Sequence, residues 1–449
     1  MASLITQYRA FGVGYGQSWQ PVVKHCLLAG EEAGHPINLD HNDGDPEGIS
    51  VAQFNVDNGV RTTSATAYLD SRSRSKINNL SIITRTICAK VLFEGKTAVG
   101  VELLPSIKGD SDVPMIVRVK REVILSAGSF ETPHILLLSG IGPVDQLASL
   151  SIPLVHHLPA VGQNLRDHTV MTCEFTIDPS IAGHNQLLND PVALKAAHEE
   201  YQTSHTGPLA MFGASASIIF TRLPVLFASK EFSSLSESTQ RFLTHENRPS
   251  TEFWMHSGPQ FYLRPLAPDA SVLALEILCQ NNLSRGTVGL ASKDPRTLPV
   301  IDPQYLTSPY DLRVALESLK HALHLIATPA FTAIIRSILH APVSPSNPSV
   351  LAAPTDEATL TAFVKENLTM GFHCMSSCIM GKEGEENRVV GPDFKVVGVQ
   401  GLRVADMSVC PLLTTNHTQV NAYLIGERCA RMVLEERRAE MRRAREARL

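Results

Sequence analysis

The stretch from Gly371 to Glu427 constrains the fold more than any other part of the sequence. Within it, residues 402–405 form a short apolar run that predicts a β-strand, and Asp406 follows that run directly. A loop then leads through His417 into a predicted amphipathic helix. The apolar residues of that helix share one face: Leu424, Ile425, Cys429, Met432 and Val433. A carboxylate just past a strand, followed by a helix N-terminus, is how α/β proteins approach a nucleotide cofactor.

Two histidines of this stretch, His373 and His417, are candidate catalytic residues. Each lies in loop-like sequence beside a predicted strand or helix, and loops held by a rigid scaffold often carry the chemistry of an enzyme. A pair of neutral imidazoles could share one substrate proton, because each ring offers a donor and an acceptor nitrogen near pH 7. The chain contains 17 histidines, and most of them must have ordinary structural roles.

Two long motifs resemble the signatures of the glucose–methanol–choline (GMC) flavin oxidoreductases. The first includes Phe372-His373 and the run His417-Thr-Gln…Tyr423-Leu-Ile-Gly-Glu427, and it is closest to the aryl-alcohol oxidase-like branch. The second is Gly-Ser-Phe-Glu-Thr-Pro-His-Ile-Leu-Leu-Leu-Ser-Gly-Ile-Gly at 128–142, followed by Leu-Pro-Ala-Val-Gly-Gln-Asn-Leu-Arg-Asp-His at 158–168. Both motifs occur in the order that the family has, and the resemblance extends from about residue 10 to about residue 435.

The resemblance implies an α/β flavoprotein with FAD as its cofactor. An incomplete FAD-binding, Rossmann-like domain would be combined with an α+β substrate domain that contains an antiparallel sheet. The implied reaction is oxidation of a primary alcohol, aromatic or allylic, by hydride transfer to the flavin, and secondary metabolism is one setting for it. His373 is implied as the base that accepts the hydroxyl proton, and His417 as the group that holds the alcohol oxygen.

The same resemblance implies the residues that contact the cofactor and the substrate. The implied cofactor-binding residues are Cys88, Asp406, Met407 and Thr418. Phe372 is implied as a substrate-binding residue, because an aromatic side chain beside the base shapes an apolar pocket. The helix after His417 would direct its positive N-terminal end at the pyrimidine edge of the flavin.

The sequence departs from the family pattern in three places. The family usually has His-x-x-Gly-Thr after the first histidine, whereas Ser376 and Ser377 occupy the last two positions here. Asn421 stands where small or Pro-flanked residues are common. No run matches the family's N-terminal G-x-G-x-x-G strand–turn–helix or its ribose-binding acid, and the true start could lie upstream. That element normally holds the FAD pyrophosphate, so we expect weak FAD binding and an unpaired edge on the parallel sheet.

Two other functions stay open at this point. One is a redox-neutral lyase of the hydroxynitrile type, which the same family contains and which uses the same histidines without net flavin turnover. The other is a truncated, non-enzymatic family member that cannot hold FAD. Bleaching of the flavin by substrate would separate oxidation from the lyase reaction. An absorption spectrum that shows bound flavin would exclude the non-enzymatic alternative.

The net charge and the cysteine content limit the kinds of partner that the chain is expected to bind. A formal charge of −5 gives no electrostatic basis for nucleic-acid binding. No apolar run approaches the roughly 20 residues of a membrane span, and the N-terminus lacks the pattern of a signal peptide. The eight cysteines show no paired framework, and the spacing of Cys374 and Cys378 is weak for zinc, so no metal site is expected. We expect a cytoplasmic protein that binds a small-molecule alcohol, with its oligomeric state undetermined.

At 449 residues, the chain is too long for one compact domain. The predicted divisions are a mixed segment at 1–60, an FAD-binding part with a β-meander at 61–168, a substrate-binding domain at 169–360, a C-terminal part of the FAD-binding domain with the histidine pair at 361–436, and a charged tail at 437–449. After the meander, a helix is predicted with Thr132 as its N-cap, Pro133 at its first position and Gly140 just past its end.

Overall fold

The computed structural model describes residues 12–15, 19–69, 79–107, 109, 113–181, 184–211, 216–258, 270–342 and 356–447. Its α-helices are α1 (Val22–Glu32), α2 (Ser64–Leu69), α3 (Gly128–Leu138), α4 (Val144–Ser149), α5 (His184–Asn189), α6 (Pro191–Ser204), α7 (Lys230–Ser233), α8 (Glu237–Leu243), α9 (Pro309–Ile326), α10 (Pro329–Thr332), α11 (Glu357–Asn367) and α12 (Gln419–Glu446). Short 3₁₀ helices span Pro208–Ala210, Pro224–Ala228 and Met407–Val409.

The β-strands are β1 (Gly48–Val51), β2 (Val56–Asp57), β3 (Val60–Arg61), β4 (Thr86–Glu94), β5 (Thr97–Pro105), β6 (Met115–Arg118), β7 (Val123–Leu125), β8 (Ile141–Gly142), β9 (His156–His157), β10 (Thr169–Ile177), β11 (Ser217–Thr221), β12 (Thr251–Ser257), β13 (Val272–Cys279), β14 (Thr287–Gly289), β15 (Val300–Asp302), β16 (Ile335–His340), β17 (Thr369–Met370) and β18 (Leu402–Val404).

The chain forms two compact units, each assembled from separate stretches. The first unit comprises residues 1–81, 170–280 and 312–369, and the second comprises residues 82–169, 281–311 and 370–449. Residues 281–311 therefore cluster with the second unit, whereas the sequence groups them with the predicted substrate-binding domain. The candidate histidine pair lies in the second unit.

The first unit is built on an antiparallel sheet with the strand order β1-β11-β12-β13-β10-β16. Its central strands β12 and β13 pair continuously, from Thr251 opposite Cys279 to Ser257 opposite Leu273. Every residue of β13 is buried, which is typical of a central strand that is covered on both faces. The predicted antiparallel sheet is thus confirmed.

A buried histidine, His35, and a partly buried one, His321, meet beside this sheet. His35 follows α1 and His321 lies in α9, and their Nε2 atoms are 2.8 Å apart. The His321 ring also stacks on Phe253 of β12, with ring centroids 5.4 Å apart. Burial lowers the pKa of each histidine to about 4, and the neighbouring His324 adds a smaller effect in the same direction. Both rings are therefore neutral near pH 7, and one donates a hydrogen bond to the other.

The second unit begins with the predicted meander. Strands β4, β5 and β6 form a three-stranded antiparallel sheet, and Gly95 turns the chain between the first two with a φ of 61°. Next to the meander, β7 pairs in parallel with β18, with Val123 opposite Leu402 and Leu125 opposite Val404. The combination of parallel and antiparallel pairing with helices confirms the predicted α/β class.

Helix α3 begins four residues before its predicted N-cap, at Gly128 rather than after Thr132. The sequence misplaces this boundary because the cap comes from a distant residue. The carboxylate of Asp406 accepts a hydrogen bond from the Gly128 N–H and another from the Thr132 hydroxyl, at 3.0 and 2.6 Å. Pro133 consequently lies inside the helix. Gly140 ends the helix as predicted, with a φ of 81°.

Helix α12 packs through most of the predicted face. Cys429 is only 2% exposed, and Ile425, Met432 and Val433 pack against the same hydrophobic core. Leu424 departs from the prediction and is 55% exposed, because it precedes Ile425 by one residue and so lies about 100° away around the helix. The predicted charged tail continues this helix as far as Glu446.

Among the described residues, no helix is both long and apolar enough to cross a membrane.

Helix α12 is also anchored by ion pairs to a buried arginine. Arg403 of β18 is 1% exposed, and its guanidinium donates hydrogen bonds to Glu122 and to Glu436 of α12, each at 2.6 Å. A third bond goes to the backbone oxygen of Asp393. A buried guanidinium needs such partners, because an uncompensated charge there would be strongly destabilising.

We expect the chain to lose stability as the pH falls below about 6.5, the ordinary pKa of histidine. Folding lowers the pKa of His35 and His321, so between that pH and about pH 4 the unfolded chain binds protons that the folded chain does not. Replacing His321 by Gln keeps a hydrogen-bonding group near His35 but removes one titrating ring. The dependence of the Tm on pH across this window should therefore become weaker. The exposed His198→Gln variant is the control, and equal slopes in both variants would contradict the prediction.

Candidate active site

The structure brings the two candidate catalytic histidines together. The ring centroids of His373 and His417 are 5.2 Å apart, and their planes are inclined by 42°. His373 lies in the loop after β17 and is half-buried, whereas His417 is exposed and lies two residues before α12. Two rings at this distance can both reach one small polar group of a substrate.

A third histidine, His168, contacts the first. Its Nδ1 atom is 2.9 Å from Nδ1 of His373, and its Nε2 atom is 2.6 Å from the backbone oxygen of Thr414. His168 is fully buried, with 0% of its surface exposed. His168 is not among the site residues predicted from the sequence, although it ends the second family signature. Its place at the end of that signature is the one sequence signal that could have identified it, but only the structure shows which residues its side chain contacts.

Asp167 holds the backbone on both sides of Phe372. One carboxylate oxygen accepts from the N–H of His373 at 2.8 Å, and the other accepts from the N–H of Gly371 at 3.2 Å and from the hydroxyl of Tyr305 at 2.8 Å. Burial raises the pKa of Asp167 above its usual range, and these hydrogen bonds oppose that rise. The carboxylate thereby stabilises Phe372 in the left-handed region, with a φ of 59°.

The segment after His373 is fixed along both of its edges by backbone hydrogen bonds. Met375 exchanges two bonds with Arg166, at 3.0 and 2.8 Å. On the other edge, the N–H of Ser376 donates to the oxygen of Met407, and the N–H of Cys378 donates to the oxygen of Ser408. The position of the His373 loop therefore depends on two segments that are distant from it in sequence.

Ser376 and Ser377, which replace the Gly-Thr of the family pattern, are both fully buried and both hydrogen-bonded. Ser376 keeps a glycine-like backbone, with a φ of 74°, and its hydroxyl donates to the oxygen of Cys410 at 2.7 Å. The hydroxyl of Ser377 donates to the oxygen of Ser129 at 2.6 Å. In helix α3 that oxygen would normally accept from residue 133, but proline has no N–H. Ser377 thus satisfies the carbonyl that Pro133 leaves without a helical partner.

Asp406 and Gly128 lie at the carboxyl ends of the two parallel strands, where α/β sheets usually bind ligands. Besides its bonds to α3, the Asp406 carboxylate accepts from the N–H of Ser408 at 2.8 Å. Gly128 has a φ of 82°, and nothing lies within 4 Å of where a Cβ would stand. The first turn of α3 is therefore open at Gly128, and a ligand could approach its backbone closely.

The other predicted cofactor-binding residues fall in different places. The backbone oxygen of Met407 accepts from the His373 loop, and Thr418 occupies the N-cap position of α12, next to His417. Cys88 instead lies on β4 of the meander, where its thiol is directed at the oxygen of Lys90 and burial raises its pKa to about 11. The predicted substrate residue Phe372 is 67% exposed beside His373.

Asn421, the remaining departure from the family pattern, supports the loop that carries His417. Its side-chain N–H groups donate to the hydroxyl of Thr414 at 2.8 Å and to the side-chain oxygen of Asn416 at 3.0 Å. The first turn of α12 is in this way tied to the residues just before His417. Asn421 therefore makes two side-chain hydrogen bonds that a small apolar residue at this position could not make.

Comparison with known proteins gives consistent matches. Two family models, both described as GMC oxidoreductase, match residues 9–170 and 282–426. A dehydrogenase, EriK, of Hericium erinaceus is 29% identical over 415 residues, which cover 91% of this chain and 66% of that protein. An oxygen-dependent choline dehydrogenase of Citrobacter koseri is 30% identical over 413 residues, which cover 91% of this chain and 67% of that protein. The chain thus spans about two thirds of the length of these curated relatives.

Solved structures share the fold. A fungal aryl-alcohol oxidase superposes with a TM-score of 0.77 at 24% identity, over 97% of this chain and 76% of that one. A formate oxidase variant of Aspergillus oryzae superposes with a TM-score of 0.83 at 22% identity, over 95% of this chain and 73% of that one.

We expect glycine to be tolerated better than alanine at Ser376. Both substitutions lose the bond to Cys410, but alanine keeps the strain of a positive φ, which costs about 1 kcal/mol, and glycine removes it. The free energy of unfolding in urea should therefore be higher for Ser376→Gly than for Ser376→Ala. Ser318 of α9, also fully buried and hydrogen-bonded, is the control, and there alanine should be the more stable. The same order at both sites would contradict the strain assigned to Ser376.

Proposed function

Since the chain belongs to the GMC oxidoreductase family, we propose that it uses FAD to oxidise a primary alcohol, aromatic or allylic. The observation that carries this proposal is the convergence of His373 and His417, with ring centroids 5.2 Å apart. An alcohol oxidation needs one group to accept the hydroxyl proton and a second to hold the oxygen, and two neighbouring imidazoles supply both. The relatives named as dehydrogenases and oxidases support this class of reaction.

The described residues fit the flavin end of FAD, where the hydride would be accepted. The N-terminus of α12 presents a positive helix end next to His417, which favours the negative charge that builds on a flavin ring as it is reduced. At α3 the Asp406 carboxylate already accepts from the Gly128 N–H, and the open space at Gly128 would let a cofactor approach the backbone closely. Large apolar side chains near His417 in sequence are exposed, as a binding surface for an apolar ring requires: Leu412, Val420 and Leu424. Bound FAD would supply the acceptor for the hydride that leaves the α-carbon of the alcohol. The proposed contacts come from Cys88, Asp406, Met407 and Thr418.

His373 is the better candidate for the base. Its backbone N–H is held by Asp167 and its ring by His168, so its orientation is fixed before a substrate arrives. His417 is more exposed and lies at the start of a helix, where it can donate a hydrogen bond to the alcohol oxygen. Each role requires only a neutral imidazole, which is the usual state near pH 7.

Phe372 supports an alcohol with an unsaturated or aromatic group. Its side chain is 67% exposed, directly beside the proposed base in sequence. A flat apolar substrate could pack on this ring while its hydroxyl reaches His373.

We expect His373→Ala to slow reduction of bound flavin by an aromatic alcohol by about 10²–10⁴-fold, because the general base is lost. The measurement is anaerobic stopped-flow absorbance of the chain saturated with FAD, using benzyl alcohol. His198→Ala, which changes an exposed histidine of the first unit, is the control and should react like the parent. Equal rates for His373→Ala and the parent would show that the base is another residue.

Substitutions at the neighbouring residues should have different effects. His417→Asn should slow flavin reduction less than His373→Ala, because an amide can still hold the alcohol oxygen. Phe372→Ala should mainly raise the KM for aromatic alcohols relative to aliphatic ones, since it removes the apolar contact. A uniform loss of activity toward all alcohols in Phe372→Ala would contradict its assignment to the substrate.

A further inference from the structure

The contacts of His168 determine which of its nitrogens carries a proton. A backbone carbonyl can only accept a hydrogen bond, so the 2.6 Å contact with the oxygen of Thr414 requires a proton on Nε2 of His168. Neutral imidazole has one protonated nitrogen, so Nδ1 of His168 is then an acceptor. The ring has no exposed surface, and a charged imidazolium would be costly to bury there. The neutral form with Nε2–H is therefore the one that fits its surroundings.

This assignment also determines the tautomer of His373. The two Nδ1 atoms are 2.9 Å apart, so one must donate to the other. Because Nδ1 of His168 is the acceptor, Nδ1 of His373 is the donor. Neutral His373 then has its proton on Nδ1 and its lone pair on Nε2. The order of donors runs from His373 to His168 to the Thr414 carbonyl.

We propose that His168 is a positioning residue that holds His373 in its Nδ1–H tautomer, so that Nε2 of His373 receives the proton of the alcohol. The role rests on the proposed function, but the tautomer itself does not. In the reaction, the O–H bond of the alcohol would break and an Nε2–H bond would form on His373, while the α-hydrogen would leave with its electron pair as hydride for bound FAD, so that the alcohol is oxidised to an aldehyde and the flavin is reduced. His373 becomes an imidazolium whose Nδ1–H still donates to His168.

The tautomer matters because the alternative cannot act as a base. With its proton on Nε2, His373 would present an N–H group to the alcohol and could only donate to its oxygen. The lone pair would then lie on Nδ1, which faces the buried His168. Fixing the proton on Nδ1 keeps the whole neutral population of His373 in the reactive form.

The first test is nitrogen NMR of the chain labelled with ¹⁵N-histidine, recorded without added FAD. His373 should show a protonated Nδ1 and an unprotonated Nε2, with its signals assigned by their loss in His373→Gln. His168→Phe removes the acceptor and should move the proton of His373 toward Nε2. His168→Asn should retain the parent pattern, because its side-chain oxygen can accept from Nδ1–H. A protonated Nε2 on His373 in the parent, or an unchanged pattern in His168→Phe, would overturn the proposal.

The second test is anaerobic flavin reduction by benzyl alcohol in the same variants, saturated with FAD. His168→Phe should lower the limiting rate by about 10-fold or more without a matching change in the substrate dissociation constant, and His168→Asn should recover much of the loss. A rate in His168→Phe equal to that of the parent would contradict the positioning role. If the parent shows the Nδ1–H tautomer but alcohol never reduces its flavin, the proposed function fails while the tautomer assignment stands. If His168→Phe fails to fold, the nitrogen spectra of the parent and of His168→Asn still show whether His373 carries its proton on Nδ1.

Discussion

The carboxylate of Asp167 is the constraint on which the candidate site depends. It accepts two backbone N–H groups that flank Phe372 and the hydroxyl of Tyr305, and it does so in a buried position. These bonds offset part of the cost of the left-handed backbone at Phe372, and they help to fix the loop that places His373. The next residue, His168, then fixes the ring of the same histidine. Two adjacent residues thus contact both the backbone and the side chain of the proposed base.

The departures from the family pattern are compensated within the same unit. Ser376 retains the backbone conformation that glycine would adopt, and its hydroxyl binds the carbonyl of Cys410. Ser377 completes the hydrogen bonding of helix α3 at the point where Pro133 interrupts it. Small hydroxyl side chains can do this because they fill little volume and can donate to a nearby carbonyl. The loop that carries His373 is therefore compatible with the loss of the family's glycine.

The sequence predicts those parts of the molecule that local patterns specify. The meander, the antiparallel sheet and the helix after His417 follow from periodicity and resemblance, and so does the choice of the two histidines. The start of α3 could not be predicted, because its cap is Asp406, which is 278 residues away. The role of His168 likewise depends on contacts with residues more than 200 positions distant. The prediction that Leu424 lies on the buried face of α12 is wrong, because helical periodicity alone does not show where that face ends.

The central claim is that this chain oxidises an alcohol with its histidine pair at a bound flavin. The most direct measurement is anaerobic mixing of the FAD-saturated chain with benzyl alcohol and with the same alcohol deuterated at its α-carbon. We predict that the oxidised-flavin absorbance disappears with both alcohols, and more slowly with the deuterated one, because the α-hydrogen is transferred in the step that is observed. If the flavin is bound but stays oxidised with every primary alcohol, while a cyanohydrin is cleaved, the chain is a redox-neutral lyase and the claim is wrong.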